Sequence, residues 1–126
     1  MYNETVMDHF TNPRNVGVLE GADAVAETGS PECGDVTKIY LKIRDNRIVD
    51  VKFQTLGCAA AIASSSMATE LVKGKTLEEA WALTKDDVAD ALGGLPEPKL
   101  HCSVLAEDAI HKAINQYRID QGLLPW

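Results

Sequence analysis

The sequence has no internal repeat, no low-complexity tract and no apolar run approaching the roughly 20 residues that cross a bilayer. It is also short of positive charge. Against 19 Asp and Glu there are only 12 Lys and Arg, a formal net charge of −7. Nucleic acid and anionic membrane both need a Lys/Arg surplus to neutralise phosphate, so neither is expected as a partner. Cysteine is scarce and odd in number: three residues, which excludes a fully paired disulfide framework. The opening residues Met1-Tyr2-Asn3-Glu4-Thr5 carry no basic stretch followed by an apolar one and no Arg-rich leader. A reducing cytoplasm is therefore the expected compartment, where thiols persist unpaired.

What is present fits one domain spanning residues 1–126, since single cores commonly run to roughly 100–150 residues. A chain of this size buries about two-thirds of its unfolded surface and folds without disulfide staples. The hydrophobic fraction of 45% and charged fraction of 25% exclude wholesale disorder.

Asn3 is placed to cap a short helix through Phe10, with Tyr2, Val6 and Phe10 on one face. Asn12-Pro13 ends it, because a residue before proline is pushed out of the helical region. A weak strand is expected over 22–28. A clear period of two follows: Thr37, Ile39, Leu41 and Ile43 alternate with Lys38, Tyr40, Lys42 and Arg44. Asp45-Asn46 reads as a tight turn, and the return strand carries Val49, Val51 and Phe53 inward against Asp50, Lys52 and Gln54 outward.

The second half is helical. A helix over 59–73 has the stripe Ala60, Ala63, Met67, Leu71 and Val72, stopped by Gly74. Thr76-Leu77-Glu78-Glu79 is a capping box, and another short helix carries Val88 and Leu92 before Gly93-Gly94. Leu95-Pro96-Glu97-Pro98 reads as an extended connector. The last helix is expected over 103–119, with Ala106, Ile110, Ala113, Ile114 and Tyr117 inward. Strands first and helices afterwards imply an α+β fold: a small antiparallel sheet with helices packed on one face.

The thiols fall at junctions between these elements. Cys33 lies in the loop Gly29-Ser30-Pro31-Glu32-Cys33-Gly34-Asp35, ahead of the hairpin. Cys58 follows Leu56-Gly57 where strand gives way to helix, and Cys102 opens the last helix after His101. Helix N-termini stabilise the thiolate, the form that binds metal and attacks sulfur. The spacings of 25 and 44 residues are no local metal motif, and lone cysteines are usually small buried hydrophobes. Asp35, two residues from Cys33, shares its side if the segment is extended, although by itself it also reads as a turn aspartate. Lys99 is ordinarily a solvated lysine, but near thiolates its charge favours their ionised form. His9 and His111 sit on helical segments without ligand-type neighbours and read as structural. The run Ala59-Ala60-Ala61-Ile62-Ala63-Ser64-Ser65-Ser66 suits a tightly packed helix, and it also leaves room beside Cys58.

Taken in order, Asn12-Pro13-Arg14-Asn15, Gly29 to Asp35, Leu56-Gly57-Cys58 with Ala61 to Ser66, and Lys99-Leu100-His101-Cys102-Ser103 through Glu107-Asp108-Ala109-Ile110 resemble the iron–sulfur cluster assembly scaffolds of the IscU/NifU N-terminal type. The likeness covers essentially the whole chain. It implies a three-stranded antiparallel sheet with helices on one face, the SufE/NifU-like fold. It also implies a non-enzymatic scaffold for de novo assembly of 2Fe–2S clusters and their transfer to acceptor apoproteins. By that likeness Cys33, Cys58 and Cys102 are cluster ligands, Asp35 and His101 complete or tune the site, and Lys99 stands beside it. Cys102 matches the thiol that receives persulfide sulfur from a cysteine desulfurase. A ferredoxin or another electron donor is the further partner implied, and a homodimer bridging one cluster stays open. Iron is the implied metal, with zinc as an occupant of the cluster-free form.

The chain departs from the pattern in places. Leu95-Pro96-Glu97-Pro98-Lys99 stands where chaperone-using members carry Leu-Pro-Pro-Val-Lys, which counts against a dedicated heat-shock-type chaperone. Ala59 replaces a glycine. A zinc-binding sulfur-acceptor branch has an insertion between the second and third cysteines and lacks the histidine; this chain has no such insertion and keeps His101. Two other classes stand beside the scaffold: a zinc-bound sulfur acceptor, because the same donors suit tetrahedral zinc, and a thiol enzyme with Cys102 activated by His101. The second requires adjacent residues at a helix start to point at each other, which they seldom do. The tail Leu123-Leu124-Pro125-Trp126 reads as a folded-back or frayed segment, or as a docking element for a partner.

Overall fold

A computed structural model of the chain describes residues 2–30 and 34–126, and the side chains of all of these except Ser30 and His101. The described elements are α1 (Glu4–Thr11), β1 (Ala24–Ser30), β2 (Asp35–Arg44), β3 (Arg47–Leu56), α2 (Ala59–Val72), α3 (Leu77–Trp81), α4 (Lys85–Ala91), a 3-10 turn (Glu97–Lys99) and α5 (His101–Asp120). The strands form one antiparallel sheet in the order β1-β2-β3. Helices α2 and α5 pack on the face carrying Ile39, Leu41, Val51 and Phe53.

The β2–β3 hairpin turns on Asp45 and Asn46 with φ of 53° and 62°. Two successive positive values give the turn whose twist matches that of the strands, and Asp and Asn tolerate it best after glycine. The ladder slips between Lys42 and Ile43, so that Lys42 faces Asp50 while Ile43 faces Ile48. Val49 is the extra residue. The expected inward position of Val49 is thereby corrected: Ile48 is fully buried and Val49 is 43% exposed. An alternating pattern cannot reveal where one residue is left out of the ladder. Tyr40, on the outer face, is nonetheless buried, its hydroxyl donating to Gln54 Oε1 at 2.8 Å and its ring under Lys38.

The free edge of β3 is tied down by loops at two places. Phe53 exchanges backbone hydrogen bonds with Asn15 and Gly17, and Ile48 does so with Lys75 and Gly74. Thr28 Oγ1 donates to the Leu105 carbonyl at 3.0 Å, pinning β1 to α5. These ties fix the helix starts relative to the strand ends.

Helix α2 differs from the expected stripe. Ala60, Ala61, Ala63, Ser64, Ser65, Ser66, Ala68, Thr69 and Val72 are all buried, whereas Met67 and Leu71 are only partly so. A helix of small residues between a sheet, α1 and α5 is covered on nearly every side, so no single face stands out. Several of its hydroxyls are paired across elements. Thr55 Oγ1 donates to Ser65 Oγ at 3.0 Å, and Ser66 Oγ accepts the Arg14 amide at 2.9 Å and meets His9 Nδ1 at 2.8 Å. Such pairing is what lets polar groups sit in a core without a desolvation penalty.

Four further expectations need correction. Phe10 is exposed and His9 takes the inner position beside Val6, since α1 packs on α2 through Ser66. β1 runs two residues later than expected, carried on by its ladder to β2. The connector after Leu95 is not wholly extended: Pro98 sits inside the 3-10 turn, which tolerates proline early because no amide is required there. α5 begins at His101 rather than 103, which places Cys102 within its first turn. The tail folds back, with Trp126 edge-on to Trp81 and beneath Arg118.

Candidate metal centre

Asp35 is the first residue of β2, and in the ladder Val36 faces Leu56, so Asp35 lies level with Gly57 just past the end of β3. The chain then turns straight into α2 with Cys58 as its N-cap residue. Across this end of the sheet α5 starts, bringing Cys102 in its first turn. Residues 23 and 67 positions from Asp35 in sequence thus converge on one carboxylate.

The geometry is a near-regular triangle. Cys58 Sγ and Cys102 Sγ are 3.7 Å apart, and Asp35 Oδ2 is 3.8 Å from each. Two donors bound about 2.3 Å from one tetrahedral ion stand about 3.8 Å from each other, so the three atoms match one face of a tetrahedral site. Among the described residues, these three form the group of His, Cys, Asp and Glu side chains able to share an ion, their ligand atoms all within 4.8 Å.

Burial sharpens the chemistry. Asp35 is 2% and Cys102 1% exposed, while Cys58 is half-buried. Asp35 Oδ1 accepts the Cys58 amide hydrogen at 3.2 Å, which leaves Oδ2 turned toward the sulfurs. A carboxylate out of water needs a cation or several donors to offset its desolvation. Two thiols beside it, each at the positive end of a long helix, supply soft ligands once ionised. Ala60 and Ala61 pack around Cys102, so the start of α2 presents methyl groups rather than bulk to the sulfurs.

The other candidates are placed unevenly. Cys33 lies outside the described residues. His101 is the first residue of α5, next to Cys102, with its side chain outside the description. Lys99 closes the 3-10 turn and is half-buried. His111 and His9 are engaged structurally: His111 Nε2 meets the Trp81 carbonyl at 2.9 Å, and His9 meets Ser66. Burial, reinforced by the Arg14 guanidinium, holds the His9 imidazole below its ordinary value. Sequence reasoning missed the hydrogen bond from the Cys58 amide to Asp35, which has no local signal because it arises only when β2 and β3 align.

Comparison with known proteins bears on this arrangement. Residues 1–122 match the family described as the NifU-like N terminal domain. The chain is 63% identical over 117 residues to the iron–sulfur cluster assembly scaffold protein IscU 1 of Archaeoglobus fulgidus, covering 93% of this chain and 76% of that one. It is 49% identical over 127 residues to the scaffold protein IscU of Azotobacter vinelandii, covering 98% of each. Its structure resembles a nitrogen-fixing NifU-like protein (N-terminal) from Brucella abortus with a TM-score of 0.73 at 27% identity, covering 91% of this chain and 92% of that one. The three-stranded sheet with its helices accords with these likenesses, and the chain belongs to the family of NifU-like N terminal domains.

Proposed function

We propose that the chain, residues 1–126 acting as one domain, is a non-enzymatic scaffold on which 2Fe–2S clusters are built and from which they pass to acceptor apoproteins. The observation that carries this reading is the buried triangle of Asp35, Cys58 and Cys102. The relatives' names as iron–sulfur scaffolds support it. The cluster is cargo. Ferredoxin-type clusters are held permanently by four thiolates on local spacings, whereas this site mixes sulfur with a harder oxygen that grips iron less firmly.

In this reading Cys33 provides the third thiolate and His101 a further donor from the first residue of α5. Cys102 also accepts sulfur. Its thiolate attacks the outer sulfur of a persulfide on a cysteine desulfurase, an S–S bond forms on Cys102, and the desulfurase thiolate leaves. Electrons from a ferredoxin or another donor reduce that sulfur to sulfide. Lys99 favours the ionised thiols, and zinc occupies the same donors when no cluster is present. The site of action is the cytoplasm. Among the described residues no helix is long and apolar enough to cross a membrane.

The test is anaerobic reconstitution with ferrous iron and sulfide. Visible absorption from sulfide-to-iron charge transfer, with iron and sulfide in equal amounts, is expected. A colourless protein that retains one tight zinc and hands on no cluster would replace the scaffold with a zinc-bound sulfur acceptor.

A further inference from the structure

Gly57 lies between the end of β3 and the N-cap of α2, and its φ is not positive, unlike that of seven other glycines. Its backbone conformation therefore does not call for glycine. Space does. A Cβ built at Gly57 would stand 2.7 Å from Asp35 Cγ and 3.1 Å from Asp35 Cβ, and closer still to Oδ1. Those distances lie well inside van der Waals contact. The carboxylate occupies the volume a side chain at position 57 would fill.

That volume is also where the carboxylate must be. Only from there does Oδ1 receive the Cys58 amide at 3.2 Å while Oδ2 stands 3.8 Å from both sulfurs. The buried Asp35 has little room to retreat, with 2% of its surface exposed. From this we infer that Gly57 is a positioning residue: the missing side chain seats the Asp35 carboxylate against the backbone of residues 57–58, assigning Oδ1 to the Cys58 amide and Oδ2 to the metal. The inference rests on the reading of Asp35, Cys58 and Cys102 as ligands. It adds that the oxygen facing the ion is selected by a residue that never touches it.

The experiment is a double-mutant cycle of Gly57→Ala and Asp35→Ala, read three ways. In the reduced, metal-free protein, the amide proton of Cys58 is hydrogen-bonded to a carboxylate. Gly57→Ala should shift its resonance upfield, as Asp35→Ala does. Cobalt(II) affinity, titrated alone under reducing conditions, should fall by about 100-fold or more in Asp35→Ala, which removes a ligand, and on the order of 10-fold in Gly57→Ala, which misorients it. The double variant should match Asp35→Ala within twofold. Thermal stability should depend on background: Gly57→Ala lowers the melting temperature clearly when Asp35 is present. In the Asp35→Ala background the loss should largely disappear, because the carboxylate is gone and only a 3.1 Å approach to the Cβ of residue 35 remains.

If Gly57→Ala alone does not fold, the double variant must fold and bind cobalt like Asp35→Ala; a double variant that also fails overturns the inference. Equal losses in both backgrounds, or an unmoved Cys58 amide, overturn it as well, since they would place the effect in the backbone of residue 57. The cycle stands apart from the scaffold reading. A wild-type protein that binds cobalt with this dependence on Gly57 yet assembles no cluster would refute the scaffold and leave the inference intact.

Discussion

Helices α3 and α4 begin differently from α2 and α5. Thr76 Oγ1 accepts the Glu79 amide at 3.2 Å while Glu79 returns a carboxylate to the Thr76 amide at 2.9 Å. Thr84 and Asp87 do the same at 3.1 and 2.9 Å. Both helices also carry acids in their first turn. At α2 and α5, among the described residues, no side chain caps the start and no acid occupies the first turn. There the amide of the N-cap Cys58 is satisfied by Asp35, which arrives from the sheet. The short helices, three and four, are closed off where they need local help to form. The two long helices, held by burial, leave their positive ends for thiols and a carboxylate. Among the described α-helices, a side-chain cap is missing where the thiols and the carboxylate meet.

That contrast can be broken at its functional side first. Replacing Cys102 by Ala should lower cobalt(II) affinity by at least about 100-fold, the upper end of what loss of a mere supporting contact costs. A smaller loss, read by competition with a chromophoric chelator, would remove Cys102 from the ligand set. Next in size is Thr76→Ala, which undoes a capping box and should cost about 1 kcal/mol, near 4 °C in melting temperature, with cobalt affinity unchanged. Coupled loss of metal binding would show that the two kinds of helix start are not independent.

Cys58→Ser tests both sides at once. It places a good N-cap residue at α2, so the melting temperature should rise, by a fraction of a kcal/mol up to about 1. Metal affinity should fall, because a hydroxyl is a poor substitute for thiolate. A protein that loses both would mean that the sulfur at this position also serves packing. The smallest effect concerns charge. The Thr76 amide and hydroxyl hold Glu79 below its ordinary value of 4.5. Its charge therefore stabilises the fold above the unfolded value and loses that effect as pH falls through the lowered one. The difference in melting temperature between wild type and Glu79→Gln should stay constant above about pH 5 and shrink at more acidic pH. A difference that grows on acidification would have the sign wrong.

Local rules were legible wherever one stretch of chain decided the outcome. The Asp45–Asn46 turn, the Asn3 cap, the Thr76 box and the alternation of β2 could all be read directly. The Thr84 box escaped because Asp87 stands where glutamate or glutamine marks the motif. Val49 is turned outward by a bulge, and α2 is buried well beyond its stripe of Ala60, Ala63, Met67, Leu71 and Val72, because both are properties of neighbours, not of spacing. The site divides the same way. Position at element junctions pointed to Cys58 and Cys102, but their meeting with Asp35 depends on strand register and on α5 docking against β1. The full set of donors became readable only through resemblance across the whole chain.

Cobalt affinity counts ligands, whereas cluster lifetime reports how readily one of them exchanges. In the proposed scaffold, a hard carboxylate among sulfurs would make the cluster easy to give away. This effect of the carboxylate is tested most directly by the lifetime of the reconstituted cluster, followed by its visible absorption with excess apo-ferredoxin present, in wild type and Asp35→Ala. A longer-lived cluster and slower handover are expected when Asp35 is gone. A lifetime unchanged or shortened by Asp35→Ala would contradict that effect.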